Sequence, residues 1–201
     1  MPHTEIQTRR REQILAAAEH LLTDRGWDAL TFAAICQGAQ ISNGVLTYHF
    51  RDKNQLLFAL YERITRRIRD QLFQPFICGN GPLRGRLASL FAGLPDETAT
   101  LHHYRLLTLY FLTIAHEQPP MVERLRALHG ESIDLLAERL GRDRIAGEIA
   151  RDPRQAAGMI VAVLTGFGMM HRDIGLGGTT ADAIDLLVAY LTGPPSATTR
   201  P

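Results

Sequence analysis

The chain has 201 residues, 45% of them hydrophobic and 21% charged, with 22 Lys plus Arg against 21 Asp plus Glu. So apolar and nearly neutral a composition excludes intrinsic disorder, because burial can offset the ordering entropy, and suits one or two globular domains. Cys36 and Cys78 are too few to staple this length, which excludes a disulfide scaffold and suits a reducing compartment. The start, Met1-Pro2-His3-Thr4-Glu5, lacks the basic-then-apolar pattern of an export signal. The longest uncharged run, residues 155–171, is shorter than the ~20 apolar residues a membrane span requires and is interrupted by Gly158, Gly166 and Gly168. A cytoplasmic location without membrane contact is expected.

Apolar spacing is helical throughout and no stretch alternates strictly, so the expected fold is all-α with about nine helices. The first is predicted from Thr8 to Arg25, with Ile14, Leu15, Ala18, Leu21 and Leu22 in one stripe and Gly26 as the stop. A short second helix follows Thr31, a good N-cap, carries Phe32 and Ile35 inward and ends near Gly38. Residues 39–41 leave room only for a tight turn before Ser42 opens a third helix. Ile41 and Leu46 have the spacing of a hydrophobic staple, Leu46 and Phe50 face inward, and Asn43, Gly44, Thr47 and Tyr48 face out. Asp52 with Gln55 reads as the capping box of a long fourth helix running to Pro75. Further helices are predicted over 83–94, 98–117, 121–140, 152–172 and 180–192. The clearest starts are Asp152-Pro153-Arg154-Gln155 and Thr179 with Asp182. The expected organisation is a three-helix domain over 1–55, a larger helical domain over 56–193 and a disordered tail over 194–201.

Two short helices joined by a tight turn, the second capped, stapled and polar outward, form a helix-turn-helix. Base reading belongs on the open side of the third helix, which Ser42 begins. Asn43 can pair bidentately with adenine or assist the helix start, Gly44 admits close approach of the backbone, and Val45 and Thr47 can meet a thymine methyl. Tyr48 and His49 can donate to phosphate or cover the core. Lys53, the single lysine, stands at the first position of the fourth helix, where the macrodipole opposes a cation unless a phosphate offsets it. Arg9, Arg10 and Arg11 read as cations at a helix N-terminus, either solvated or aimed at phosphates or the minor groove, and Arg51 adds to the cluster. Thr31 can cap its helix or donate to phosphate.

From Arg9 to about Leu60 the sequence resembles the DNA-binding domain of the TetR family of bacterial transcriptional regulators. The resemblance is carried by Ile14 with Ala17 and Ala18, Gly26, Thr31, Ile35, Ala39, Ile41-Ser42-Asn43-Gly44, Tyr48-His49-Phe50, Lys53 and Leu56-Leu57. It implies phosphate contacts for Thr31, Tyr48, His49 and Lys53 and groove-facing positions for Asn43, Val45 and Thr47. The chain departs from the family pattern at Gln40, where glycine is usual, and at Thr47, where an aromatic is usual. Gln40 would strain a left-handed turn unless Gly38 shifted the bend.

The resemblance further implies pairing through the last two helices, with Met159, Val163, Gly166, Ile184, Leu187, Val188 and Leu191 as interface candidates, the alternative being an ordinary intramolecular core. It also implies an effector pocket among the middle helices, for which Phe91, His103, Tyr104, Leu107, Tyr110, Phe111, Met121 and Phe167 are candidate linings, each with plain core packing as the alternative. His102, His103, His116 and His171 lack metal-ligand spacing, Cys36 reads as a small core residue, and no cofactor is implied. No Gly-rich phosphate loop, nucleophile elbow or paired His-carboxylate motif appears, which argues against an enzyme. The expected function is a ligand-responsive regulator, a repressor that binds a palindromic operator as a homodimer and is released by a small, largely apolar effector of unknown identity. The alternative keeps the double-stranded DNA and gives the second domain a protein partner.

Overall fold

The computed structural model describes the backbone of residues 2–93, 99–115, 119–174 and 178–194, and the side chains of all of these but 2–4, 99–101, 119 and 169–174. Among the described residues every regular element is helical: α1 (Pro2–Arg25), a 3-10 turn (Trp27–Ala29), α2 (Phe32–Ala39), α3 (Asn43–His49), α4 (Lys53–Cys78), α5 (Leu83–Ala92), α6 (Ala99–Ala115), α7 (Pro119–Ile145), α8 (Pro153–Ile174) and α9 (Thr180–Thr192). None of them is long and apolar enough to cross a membrane.

Three boundaries differ from the sequence reading by three residues or more. The first helix begins at Pro2 rather than Thr8, with a proline at its start and Glu5 in its first turn, both suited to a helix N-terminus. Arg9, Arg10 and Arg11 therefore lie beyond the first turn, out of reach of the end charge that was expected to oppose them. The fourth helix runs through Pro75 to Cys78, because the fully buried Phe76 anchors the last turn and the Gly79 N–H donates to the Pro75 carbonyl at 3.1 Å. The seventh continues five residues past Leu140 to Ile145, carrying Asp143 into a buried ion pair.

The expected caps form. The Thr31 and Ser42 side chains accept from Ala34 N and Val45 N, and Asp152 Oδ1 accepts from Arg154 N and Gln155 N. Thr179 and Asp182 make the reciprocal box. At α4 the box is offset: Asp52 accepts from Gln55 N at 2.8 Å, while the Gln55 side chain accepts from Arg51 N rather than Asp52 N.

By packing, the chain divides into two units, Met1–Arg66 with Glu97–Ile114, and Arg67–Asp96 with Ala115–Pro201. This division falls within α4 and places α6 with the first three helices, whereas the sequence reading drew its functional boundary after residue 55. In the first unit α1 packs on α2 and α2 on α3, around Ile14, Leu22, Ile35, Leu46 and Phe50. Phe32 and Cys36, both expected inward, are half-buried. On the other side of this unit α6 lies on the first half of α4 through a run of rings. Phe58 meets Phe111 edge to face at 5.2 Å, and Tyr61 stacks on Phe111 at 5.6 Å and on Tyr104 at 5.7 Å. The Thr108 hydroxyl donates to the Tyr104 carbonyl and sits 3.0 Å from the Tyr61 hydroxyl, and burial pushes the Tyr61 phenol pKa up.

In the second unit α7 packs on α8, α5 on α9 and α8 on α9. The connection after α7 is pinned by Ala150 N donating to Leu191 O at 2.8 Å and by Arg151 Nε donating to Tyr190 O at 2.9 Å. Arg86 is buried between the Phe76 ring and the carboxylates of Asp143 and Glu148. Of the tail expected to be disordered, only Pro194 falls within the described residues.

Candidate nucleic-acid interface

The helix-turn-helix is made by a short-range conflict and its resolution. The α2 helix ends with Gln40 at φ 54° and ψ 48°, so the non-glycine residue itself takes the left-handed position and Gly38 stays helical. Gln40 N donates to Gln37 O at 3.2 Å and Ile41 N to Cys36 O at 3.0 Å, which is the Schellman arrangement. A third bond comes from outside the turn: Gln13 Nε2 of α1 donates to the Ala39 carbonyl at 2.7 Å. These bonds offset the cost of an L side chain in the left-handed region, of order 1 kcal/mol.

The turn delivers α3 with Leu46 fully buried, Ile41 half-buried, and Ser42, Asn43, Gly44, Thr47 and Tyr48 exposed; Val45 is half-buried. The Thr47 hydroxyl donates back to the Asn43 and Gly44 carbonyls, so its methyl is the group left for a partner. Tyr48 is 69% exposed, which removes the reading in which it covers the core. Its hydroxyl accepts from Gln7 Nε2 at 2.9 Å and so keeps its own proton available to a phosphate. Thr31 resolves the same way, since accepting the Ala34 N–H uses a lone pair and not the hydroxyl proton. His49 is half-buried beside Tyr48, with ring centroids 5.2 Å apart. Burial, and then the charge of Arg11, lowers its pKa, so near neutral pH it is an uncharged donor.

Of the three arginines, Arg9 and Arg10 are exposed, and Arg10 donates to Gln13 Oε1 at 2.8 Å. Arg11 is half-buried with its guanidinium 4.6 Å from the centroid of the Phe50 ring, so part of its role is to cover the core. Lys53 is exposed at the first residue of α4, and Arg51 is exposed just before it. Asp52 caps Gln55 N, which leaves the N–H groups of Lys53 and Asn54 at the positive end of the helix.

Four contributors escaped the sequence reading: Gln7, Gln13, Trp27 and Asn54. Gln7 falls in the stretch read as preceding the first helix, and Gln13 lies outside the apolar stripe predicted for that helix. The signal for Asn54 is its place beside Lys53, but its partner Tyr110 is 56 residues away.

The effector candidates do not come together in one unit. His103, Tyr104, Leu107, Tyr110 and Phe111 lie on α6 in the first unit, all buried except the half-buried Tyr110. Phe91, Met121 and Phe167 lie in the second, where Phe91 and Phe167 meet edge to face at 5.5 Å. The dimer candidates also divide. Ile184, Leu187 and Leu191 are buried within the chain's own core, as the intramolecular alternative has it. Met159 and Gly166 are exposed, Val163 and Val188 half-buried, and Leu186, which was not anticipated, is 72% exposed. His116 and His171 lie outside the described side chains, and no cluster of metal-ligating residues occurs among the described residues.

A capped recognition helix with an open polar face, held on a small helical core, defines a helix-turn-helix DNA-binding protein. Residues 14–60 match the model of the bacterial regulatory proteins of the tetR family. The chain is 31% identical over 165 residues to the HTH-type transcriptional regulator BetI of Escherichia coli (strain K12 / DH10B), with 82% of each chain covered. The protein belongs to the TetR family and is a DNA-binding transcriptional regulator rather than an enzyme. Among solved structures it is similar to a TetR-family regulator from Rhodococcus sp., with 24% identity, a TM-score of 0.66 and coverage of 91% of this chain and 96% of that one. It is also similar to a transcriptional regulator from Saccharomonospora viridis solved in complex with choline, with 19% identity, a TM-score of 0.66 and coverage of 91% and 95%.

Proposed function

We propose that the protein is a repressor that binds a palindromic operator as a homodimer and leaves it when a small molecule binds its larger domain. The observation that carries the DNA contact is the open face of α3, with Asn43, Gly44, Thr47 and Tyr48 exposed, together with the exposed Lys53 at the start of α4. In this reading Asn43 reads a base edge, with Val45 and the Thr47 methyl against it. Thr31, Ser42, Tyr48, His49 and Lys53 hold phosphates, and Arg9, Arg10 and Arg11 add sequence-independent attraction. Two copies pair through the open side of α8 and α9, with Met159, Val163, Gly166, Leu186 and Val188 at the contact, because a single recognition helix offers few base contacts and two-fold symmetry doubles them. Phe91, Met121 and Phe167 line the effector site. Since one structural neighbour holds choline, and aromatic faces attract quaternary ammonium groups, choline is the first effector probe.

Selection of bound fragments from random double-stranded DNA supplies the operator. With it, Asn43→Ala should flatten sequence preference, whereas Lys53→Ala should weaken all DNA alike and lower the slope of log affinity against log salt by about one. Unchanged preference in Asn43→Ala would overturn the reading face. Sedimentation at micromolar concentration showing only monomer would overturn the dimer.

A further inference from the structure

The α6 helix reaches the DNA-reading end of its own unit through one side chain. Tyr110 donates its phenol proton to Asn54 Oδ1 at 2.6 Å, while its ring lies 5.3 Å from that of Trp27 at an interplanar angle of 53°. Asn54 is the second residue of α4, directly after Lys53, and Trp27 belongs to the 3-10 turn that leads into the cap of α2 at Thr31. All three side chains are half-buried, so the bond is shielded enough to have a defined geometry. A single residue therefore touches both chain segments that flank the helix-turn-helix. With Oδ1 held by Tyr110, the amide nitrogen of Asn54 is turned away from it, and the first turn of α4, with the Lys53 backbone N–H, is held in place.

We propose that Tyr110 is a positioning residue for DNA binding: through Asn54 it holds the first turn of α4 so that Lys53 meets its phosphate, and through Trp27 it ties that turn to the segment entering α2. A displacement of α6 breaks or re-aims this latch and changes operator affinity without touching α3. The inference rests on the phosphate contact assigned to Lys53, so the test reads the two separately.

The experiment is a double-mutant cycle on the full chain with the selected operator, measured over a salt series. Tyr110→Phe keeps the ring against Trp27 and removes only the hydroxyl. It should weaken the operator complex about fivefold, which is the size of one ordinary hydrogen bond, and should lower the salt slope toward that of Lys53→Ala. Combined with Lys53→Ala it should add nothing further. Asn54→Ala breaks the same bond from the other side and should reproduce the effect, which keeps the test decisive if Tyr110→Phe fails to fold. The emission of Trp27, the single tryptophan, should shift on operator binding in the parent chain and shift less in Tyr110→Phe. If Lys53→Ala weakens binding while Tyr110→Phe and Asn54→Ala leave affinity and salt slope unchanged, or add to Lys53→Ala in full, the latch is overturned and the phosphate contact stands. If Lys53→Ala itself has no effect, the phosphate contact fails and takes the latch with it.

Discussion

Gln40 shows how one residue can break a local rule while its surroundings absorb the cost. A left-handed φ of 54° disfavours any side chain with a Cβ, and glycine is the residue that removes the penalty. The bonds that hold the turn are two from its own backbone and one from Gln13, and none uses the Gln40 side chain. Gln40→Gly should therefore keep all three and stabilise the fold by up to about 1 kcal/mol, the relief of strain being partly offset by the freer unfolded chain. Urea unfolding should show a higher midpoint at unchanged slope, and a lower midpoint would mean that Gln40 is held by contacts beyond the turn. The departure from the family pattern was visible in the sequence. Its resolution was not, because Gln13 lies 26 residues away in the chain and reads as an ordinary solvent-facing position.

Among whole elements, the sequence yields what local chemistry decides and loses what distant partners decide. The caps at Thr31, Ser42, Asp152 and Thr179 and the stop at Gly26, with φ 79°, are set by neighbours within four residues and stand where the pattern put them. Pro75 misleads because a proline three residues from a helix end costs few backbone bonds, and Phe76, held in the core, repays them. The extra length of α7 is legible only through tertiary structure, since it serves Asp143. That carboxylate is 1% exposed and lies 3.0 Å from Arg86 Nη1 and 2.6 Å from Arg139 Nη1, and Arg86 itself is 2% exposed. Asp143→Ala strands Arg86 with only the half-open Glu148 as counterion and should cost about 3–5 kcal/mol. Arg86→Met should cost clearly less, because Asp143 keeps Arg139 and the thioether can fill the space beside Phe76. Thermal unfolding of the two variants side by side checks the order, and an Arg86→Met variant as unstable as Asp143→Ala would show that Arg139 cannot hold the carboxylate alone.

For the molecule as a whole, the all-helical architecture follows from the period of the apolar residues, but the grouping of its helices does not. Sequence order places α6 with the middle helices, and the rings of Tyr104 and Phe111 place it on Phe58 and Tyr61 of α4. The same packing buries His103, at 3% exposed, and leaves its Nδ1 without a hydrogen-bond partner among the described residues. Burial lowers the pKa of His103, with His102 adding to the shift and Glu19 opposing it. Burial lowers that of His129, and burial with Arg11 lowers that of His49. All three shifts have the same sign. Each folded-state pKa lies below the unfolded value of 6.5, so as pH falls through 6.5 the unfolded chain takes up protons that the folded chain refuses. Stability from these groups is complete above that value and is lost progressively below it, until the folded pKa values are reached. Urea unfolding at pH 7.5, 6.5 and 5.5 should give a falling midpoint, and His103→Gln, which cannot titrate, should flatten the decline relative to its own value at pH 7.5. A His103→Gln variant that loses stability on acidification as steeply as the parent would place the sensitivity in His49 and His129, both of which stay ionisable when His103 is removed.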